Sequence, residues 1–161
     1  MNNLIKELEI TLGYKFEDKN LLKKSLIHKS FNNKNNNEKL EFLGDRVLGL
    51  IISKKLLDIY PDESEGIIDK KFANLVNKKT CSIIAKNLFL DKYMILGKSH
   101  KGSQNIANKV IGDCLEAIIG AIYLDKGLQQ TEKFVLKFWK DFLENSSEPV
   151  IDAKTQLQEH S

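Results

Sequence analysis

Glu38, Glu41 and Asp45 follow one another at helical spacing, and so do Asp113 and Glu116. At about 100° per residue, Glu41 and Asp45 lie about 40° apart on a helix, with Glu38 within about 60° of Glu41. Asp113 and Glu116 lie about 60° apart on a second helix. Like charges placed this way cost roughly 0.2–0.5 kcal/mol per pair unless something offsets them. The neighbouring cations Lys39 and Arg46 are expected to project from the opposite side. Leu48 and Ile52 continue the first acidic stripe, and from Val47 onward the segment is apolar nearly all round, the pattern of a buried helix. Ala117, Gly120 and Leu124 share the side of the second pair, and small residues there permit close approach of another helix. If the two helices pack face to face, Glu41, Asp45, Asp113 and Glu116 converge. Unpaired charges in such a place are costly, and a cation is the simplest compensation. Oxygen ligands without His or Cys select hard ions, Mg²⁺ or Mn²⁺, which usually serve phosphate chemistry. Two other readings stay open on the residues alone. Acid pairs at this spacing are commonly solvated helix surface, and Lys109, one turn before Asp113, could neutralise it without metal.

The elements that must position these acids are helical. Ile5, Leu8 and Ile10 predict a short helix closed near Gly13, and residues 18–30 a second with Leu21, Leu22, Leu26 and Ile27 inward. Residues 32–37 read as a polar loop. A long helix follows from Glu38 to about Tyr60, stopped by Pro61. Ser64 caps another to about Asn77, with Ile67 where a capping box would carry Glu. Residues 80–90 continue helical, 97–107 read as a loop, and 108–125 form a helix ending before Gly127. Residues 129–145 form a last amphipathic helix carrying Phe134, Phe138, Trp139 and Phe142. The fold class is all-α.

Composition narrows the field. The chain has 161 residues, 42% hydrophobic and 29% charged, enough for one globular domain and a short appendage. Its net charge of +3 is compatible with a nucleic-acid partner. Arg46 is the sole arginine, so phosphate contacts would come from lysine point charges. Cys81 and Cys114 are too few for a disulfide framework or a cysteine zinc site, and Cys114 reads as a packed helix residue. Met1–Ile10 has no hydrophobic signal core, and no stretch approaches the ~20 apolar residues of a membrane span. The expectation is a cytoplasmic protein without membrane contact. His28, His100 and His160 stand apart from both acid motifs in sequence and read as surface or packing residues.

The run from Asn37 to Leu48, NEKLEFLGDRVL, closely resembles the signature of the ribonuclease III family, and the run from Asp113 to Asp125, DCLEAIIGAIYLD, resembles that family's second carboxylate motif. His28-Lys29-Ser30, Tyr60-Pro61, Glu65-Gly66 and Leu75-Val76-Asn77 also fit, so the resemblance covers about residues 5–145. It implies an all-helical endonuclease domain that works as a homodimer on double-stranded RNA in ribosomal and messenger RNA processing. Each subunit would cut one strand and leave 5′-phosphate and 3′-hydroxyl ends. By position, Glu41, Asp45, Asp113 and Glu116 would bind Mg²⁺, with Mn²⁺ as a possible substitute. Asp45 and Glu116 would be catalytic, and Glu116 the most sensitive position. Glu38 and Glu65 match accessory acids of the processing centre, and Phe42 matches an aromatic that inserts into the partner subunit.

Duplex RNA is read by shape, through phosphates and 2′-hydroxyls. Lys34, Lys98, Lys101 and Lys109, with His100, are the candidate contacts. Lys39 stands where arginine is common in the family, and the 98–106 loop lacks the usual Gly-Gly-Arg-like element. The expected organisation is an endonuclease domain over 1–145 and a linker over 146–152. Residues 153–161 resemble the opening of a double-stranded RNA-binding domain, of which only the first helix would fit. Two competing functions are a non-catalytic RNA- or ribosome-binding module, which would be free to lose its acids, and a helical phosphohydrolase of His-Asp type, for which the chain has no adjacent His-Asp pair.

Overall fold

The computed structural model describes residues 2–98 and 106–147. Lys101, His100 and the segment expected to open an RNA-binding domain lie outside the described residues. The elements are α1 (Asn2–Leu12), α2 (Lys19–Leu26), α3 (Glu38–Ile59), α4 (Glu65–Val76), α5 (Lys78–Asn87), α6 (Leu90–Tyr93), α7 (Asn108–Lys126), α8 (Leu128–Phe138) and α9 (Lys140–Asn145). Among the described residues there is no strand, and no helix is long and apolar enough to cross a membrane.

Helix α7 is the axis of the fold. Every residue from Ile111 to Ile122 is buried, and α2, α3, α5, α6 and α8 all pack on it. Its closest partner is α3, which crosses it at Gly44 and Gly120. The Leu40 carbonyl sits against Gly120, and the Glu116 carbonyl sits against Gly44, each with no room for a side chain. Backbone-to-backbone approach of this kind draws the first turn of α3 toward the middle of α7. The far end of α7 is anchored by Asp125, whose carboxylate accepts hydrogen bonds from the Tyr14 hydroxyl at 2.7 Å and from the Glu17 and Asp18 amides at 3.0 and 2.9 Å.

Several expectations from sequence need correction. The second helix does not run from 18 to 30 but stops at Leu26. Ile27 is extended and pairs with Ile95 in a single parallel bridge, held by the His28 amide on the Ile95 carbonyl. The helix expected over 80–90 breaks at Phe89, which takes a left-handed conformation (φ 57°). The last helix is two, hinged at Trp139. The indole there is fully buried and its Nε1 donates to the Leu75 carbonyl at 2.8 Å. That contact is tertiary, so helical periodicity carries no trace of it. Replacing Trp139 with Phe should leave a buried carbonyl unpaired and a gap beside it. A loss of about 2 kcal/mol is expected in urea unfolding.

The asparagine run is the expected polar loop, exposed over 32–35, and its own side chains tie it down. Asn32 Oδ1 accepts from the Lys34 and Asn35 amides, and buried Asn36 donates to the Asn32 and Asn33 carbonyls. Asn37 Nδ2 donates to the Ser25 carbonyl at 3.1 Å. The side chains replace the partners that a short connection denies its backbone, and they fix where α3 begins. Helix α3, by contrast, is not buried all round. Leu48 and Ile52 are inside, but Phe42, Leu50 and Leu57 are 61%, 58% and 61% exposed. They share one face, within about 80° of each other around the helix axis.

Candidate metal centre

Glu41 projects from the first turn of α3, and Asp113 and Glu116 from the buried stretch of α7. One carboxylate oxygen from each lies within 4.8 Å of the others. Asp45 is not in this group of three. It is about half exposed, one turn further along α3, with Arg46 Nη1 3.5 Å from its Oδ2. Arg46 therefore does reach the acidic side, contrary to the expectation from helical spacing. The same guanidinium donates to the Phe42 carbonyl and lies 3.7 Å from the centre of the Phe42 ring, both on its own side of the helix.

Helical spacing does not reveal Lys78, the first residue of α5, as a member of this cluster. Its Nζ lies 2.5 Å from Glu116 Oε1, 2.7 Å from Asp113 Oδ1 and 3.8 Å from Glu41 Oε1. Asn77 aims this residue by closing α4 with its backbone and capping α5, its Oδ1 accepting from the Thr80 amide at 2.8 Å. Lys109 holds the other oxygen of Asp113 at 2.9 Å, one helical turn away as expected. A polar cleft of about 140 Å³ opens beside the cluster, lined by His28, Lys29, Asn37, Glu38, Glu41, Lys109 and Asp113. His28 thus stands at the site, correcting its reading as a remote histidine. The turn after α2 brings it there, with Nδ1 2.7 Å from Ser30 Oγ. Glu38 joins the cleft wall, whereas Glu65 lies on the exposed first turn of α4. Lys34 and Lys98 are exposed.

Burial and crowding set the protonation of the cluster. Glu116 is 1% exposed, and burial, with the Asp45 carboxylate beside it, pushes its pKa up to about 8. Burial and the charge of Asp113 also raise Glu41. Burial works against ionised Asp113, but Lys78 and Lys109 outweigh it and hold this carboxyl below its usual range. Burial likewise opposes the Lys78 ammonium, and its two close carboxylates more than compensate, so it stays charged. Cys81 and Cys114 are buried thiols pushed up to about 12, unsuited to metal. A carboxyl whose pKa is raised on folding binds extra protons between its unfolded and folded values, so stability falls as pH rises through that window. The shifts of Asp113 and Lys78 act outside it. In EDTA the protein should therefore be more stable to urea at pH 5 than at pH 8, and Glu116→Gln should flatten the slope.

The donor set fits a hard divalent ion. It is all oxygen, it is drawn from two rigid helices, and it retains an unused ligand. Among the described residues Glu116 Oε2 is the buried side-chain oxygen with no hydrogen-bond partner.

Two central helices thus cross at glycines and bring acids from both to one point. A family model described as Ribonuclease-III-like matches residues 18–142. The chain is 57% identical to ribonuclease 3 of Pelagibacter ubique over 96% of its own length and 70% of that protein's. It is 40% identical to ribonuclease 3 of Jannaschia sp., covering 92% of this chain and 66% of the relative. The nuclease domain of ribonuclease III from Campylobacter jejuni superposes with a TM-score of 0.83 at 38% identity, covering 87% of this chain and 99% of that one. Dicer from Pichia stipitis matches with a TM-score of 0.62 at 28% identity, over 80% of this chain and 57% of its own. The chain belongs to the ribonuclease III family, and its fold is that family's nuclease domain. It spans about two thirds of the length of these curated ribonuclease 3 relatives.

Proposed function

We propose that this domain is a Mg²⁺-dependent endoribonuclease that cuts double-stranded RNA as a homodimer. The observation that carries this reading is the convergence of Glu41, Asp113 and Glu116 from two crossing helices, with a buried oxygen of Glu116 left unpartnered. Those three would hold the ion, and Asp45, next to Glu116 and half exposed, would complete the set from the solvent side. Bound Mg²⁺, or Mn²⁺ in its place, supplies Lewis-acid charge that activates water and stabilises the leaving oxygen. The protein's own part is positional. Helix α7 fixes Asp113 and Glu116, and α3 brings Glu41 to them. Glu38 and His28 line the approach, while Glu65, on the first turn of α4, is outside the cleft lining. The products would carry 5′-phosphate and 3′-hydroxyl ends, and the setting would be ribosomal and messenger RNA processing in the cytoplasm.

Lys109, at the mouth of the cleft, with Lys34, Lys98 and Lys101, would meet phosphates, so binding should weaken steeply with salt. The exposed face of Phe42, Leu50 and Leu57 supports a two-fold partner, with Phe42 inserting into it. A region of the Campylobacter jejuni nuclease domain is described as involved in dimer formation. The proposed organisation keeps residues 1–145 as the nuclease domain, 146–152 as a linker and 153–161 as the opening of an RNA-binding domain.

The test is cleavage of a labelled RNA duplex and of its single strands, in Mg²⁺ and in EDTA. Duplex cutting only with Mg²⁺, yielding 5′ ends that ligate without added phosphate, is expected. Cutting that EDTA leaves untouched, or equal cutting of single strands, would defeat the reading. Sedimentation should show a dimer that Phe42→Ala weakens.

A further inference from the structure

Resting on the metal reading just given, we propose that Lys78 is a built-in competitor for the divalent ion. Its ammonium occupies the carboxylate cluster and must leave before a metal can bind there. The geometry is that of a cation in its ligand shell. Nζ touches Glu116 and Asp113 at 2.5 and 2.7 Å and stands 3.8 Å from Glu41, the same three residues whose oxygens lie within 4.8 Å of one another. An ammonium and a divalent ion cannot share that point. Two positive centres so close repel, and both need the same oxygens.

The exchange needs no change of fold. Lys78 sits at the first position of α5, its side chain is nearly half exposed, and its flexible stem can turn outward to water. Its partners are less free, because Asp113 and Glu116 are fixed on the buried face of α7. The carboxylates therefore stay gathered while one cation replaces another. Two consequences follow. Without metal, Lys78 holds together charges that would otherwise repel. With metal, every binding event must first break the lysine's contacts, so the apparent affinity is lower than the cluster alone would give. Lys109 does not share this role: it reaches only the outer oxygen of Asp113.

Isothermal titration of the whole chain with Mg²⁺ and with Mn²⁺ tests this, comparing wild type with Lys78→Met, Lys78→Arg and Lys79→Met. Lys79 is the exposed neighbour, so its variant removes the same charge without touching the cluster. Lys78→Met should bind metal about tenfold more tightly, a typical size for coupling between two ligands. In EDTA it should melt at a lower temperature than wild type, and excess Mg²⁺ should close that gap. Lys78→Arg and Lys79→Met should stay within about twofold of wild-type affinity. Should Lys78→Met not fold in EDTA, folding it in Mn²⁺ and competing the ion off with a calibrated chelator reads the same constant. Equal or weaker metal binding by Lys78→Met overturns this proposal and leaves the metal reading standing. Binding by neither wild type nor variant overturns both.

Discussion

Glu116→Gln should lose duplex cleavage by about a thousandfold or more while still binding RNA. Glutamine keeps the shape and one oxygen for Lys78 but can no longer bring negative charge to an ion. Losing a charged ligand of a catalytic metal removes several kcal/mol of transition-state stabilisation, and about 4 kcal/mol corresponds to that factor. Stability in EDTA should rise at neutral pH, because wild type must take up a proton at Glu116 to fold and glutamine need not. With its pKa at about 8, Glu116 is mostly protonated at neutral pH in the chelated protein, and glutamine resembles that form. Single-turnover cleavage, filter binding and urea unfolding in EDTA at pH 7 separate the three quantities. A variant cutting within tenfold of wild type would remove Glu116 from the mechanism. One that cuts poorly because it is unfolded would show it in the unfolding curve.

Gly44→Ala should damage fold and site together. A methyl group there would stand 1.7 Å from the Glu116 carbonyl oxygen, and one at Gly120 would stand 2.2 Å from the Leu40 carbonyl oxygen. Both obstacles are backbone, so no flexible side chain can swing aside. Overpacking usually costs 1–3 kcal/mol, and backbone collisions belong to the upper end, so a loss of at least about 3 kcal/mol is expected. Any relaxation must separate α3 from α7, which moves Glu41 away from Asp113 and Glu116. Metal affinity should fall even in the fraction that stays folded. Urea midpoints and Mn²⁺ titration measure both. A Gly44→Ala protein as stable as wild type and binding Mn²⁺ equally well would show that the close crossing does not set the site.

Much of this was legible in the residues because it is periodic. The acids of α3 and α7 and the small face at Gly120 follow from spacing along one helix. What escaped was tertiary. Lys78 is separated from its carboxylate partners by 35 and 38 residues, and no pattern around it announces the contact. The one local signal was Asn77, a good N-cap residue before a helix, which fixes Lys78 at a helix start. His28 was visible as part of a motif, but its place beside Glu38 and Glu41 depends on the bridge between Ile27 and Ile95. Arg46 shows the limit of wheel arithmetic: angles locate Cβ, and a long side chain can cross to the neighbouring stripe.

The enclosure of α7 from Ile111 to Ile122 divides the centre into a stiff half and a compliant half. Amide hydrogens from Ile111 to Ile122 can exchange only when the surrounding helices detach, so they should be the slowest in the chain. Glu41 and Lys78 stand instead in opening turns, where the first amides lack intrahelical acceptors and fraying begins. Ions of different radius would then be accommodated by yielding of these two helix starts, against an α7 that does not move.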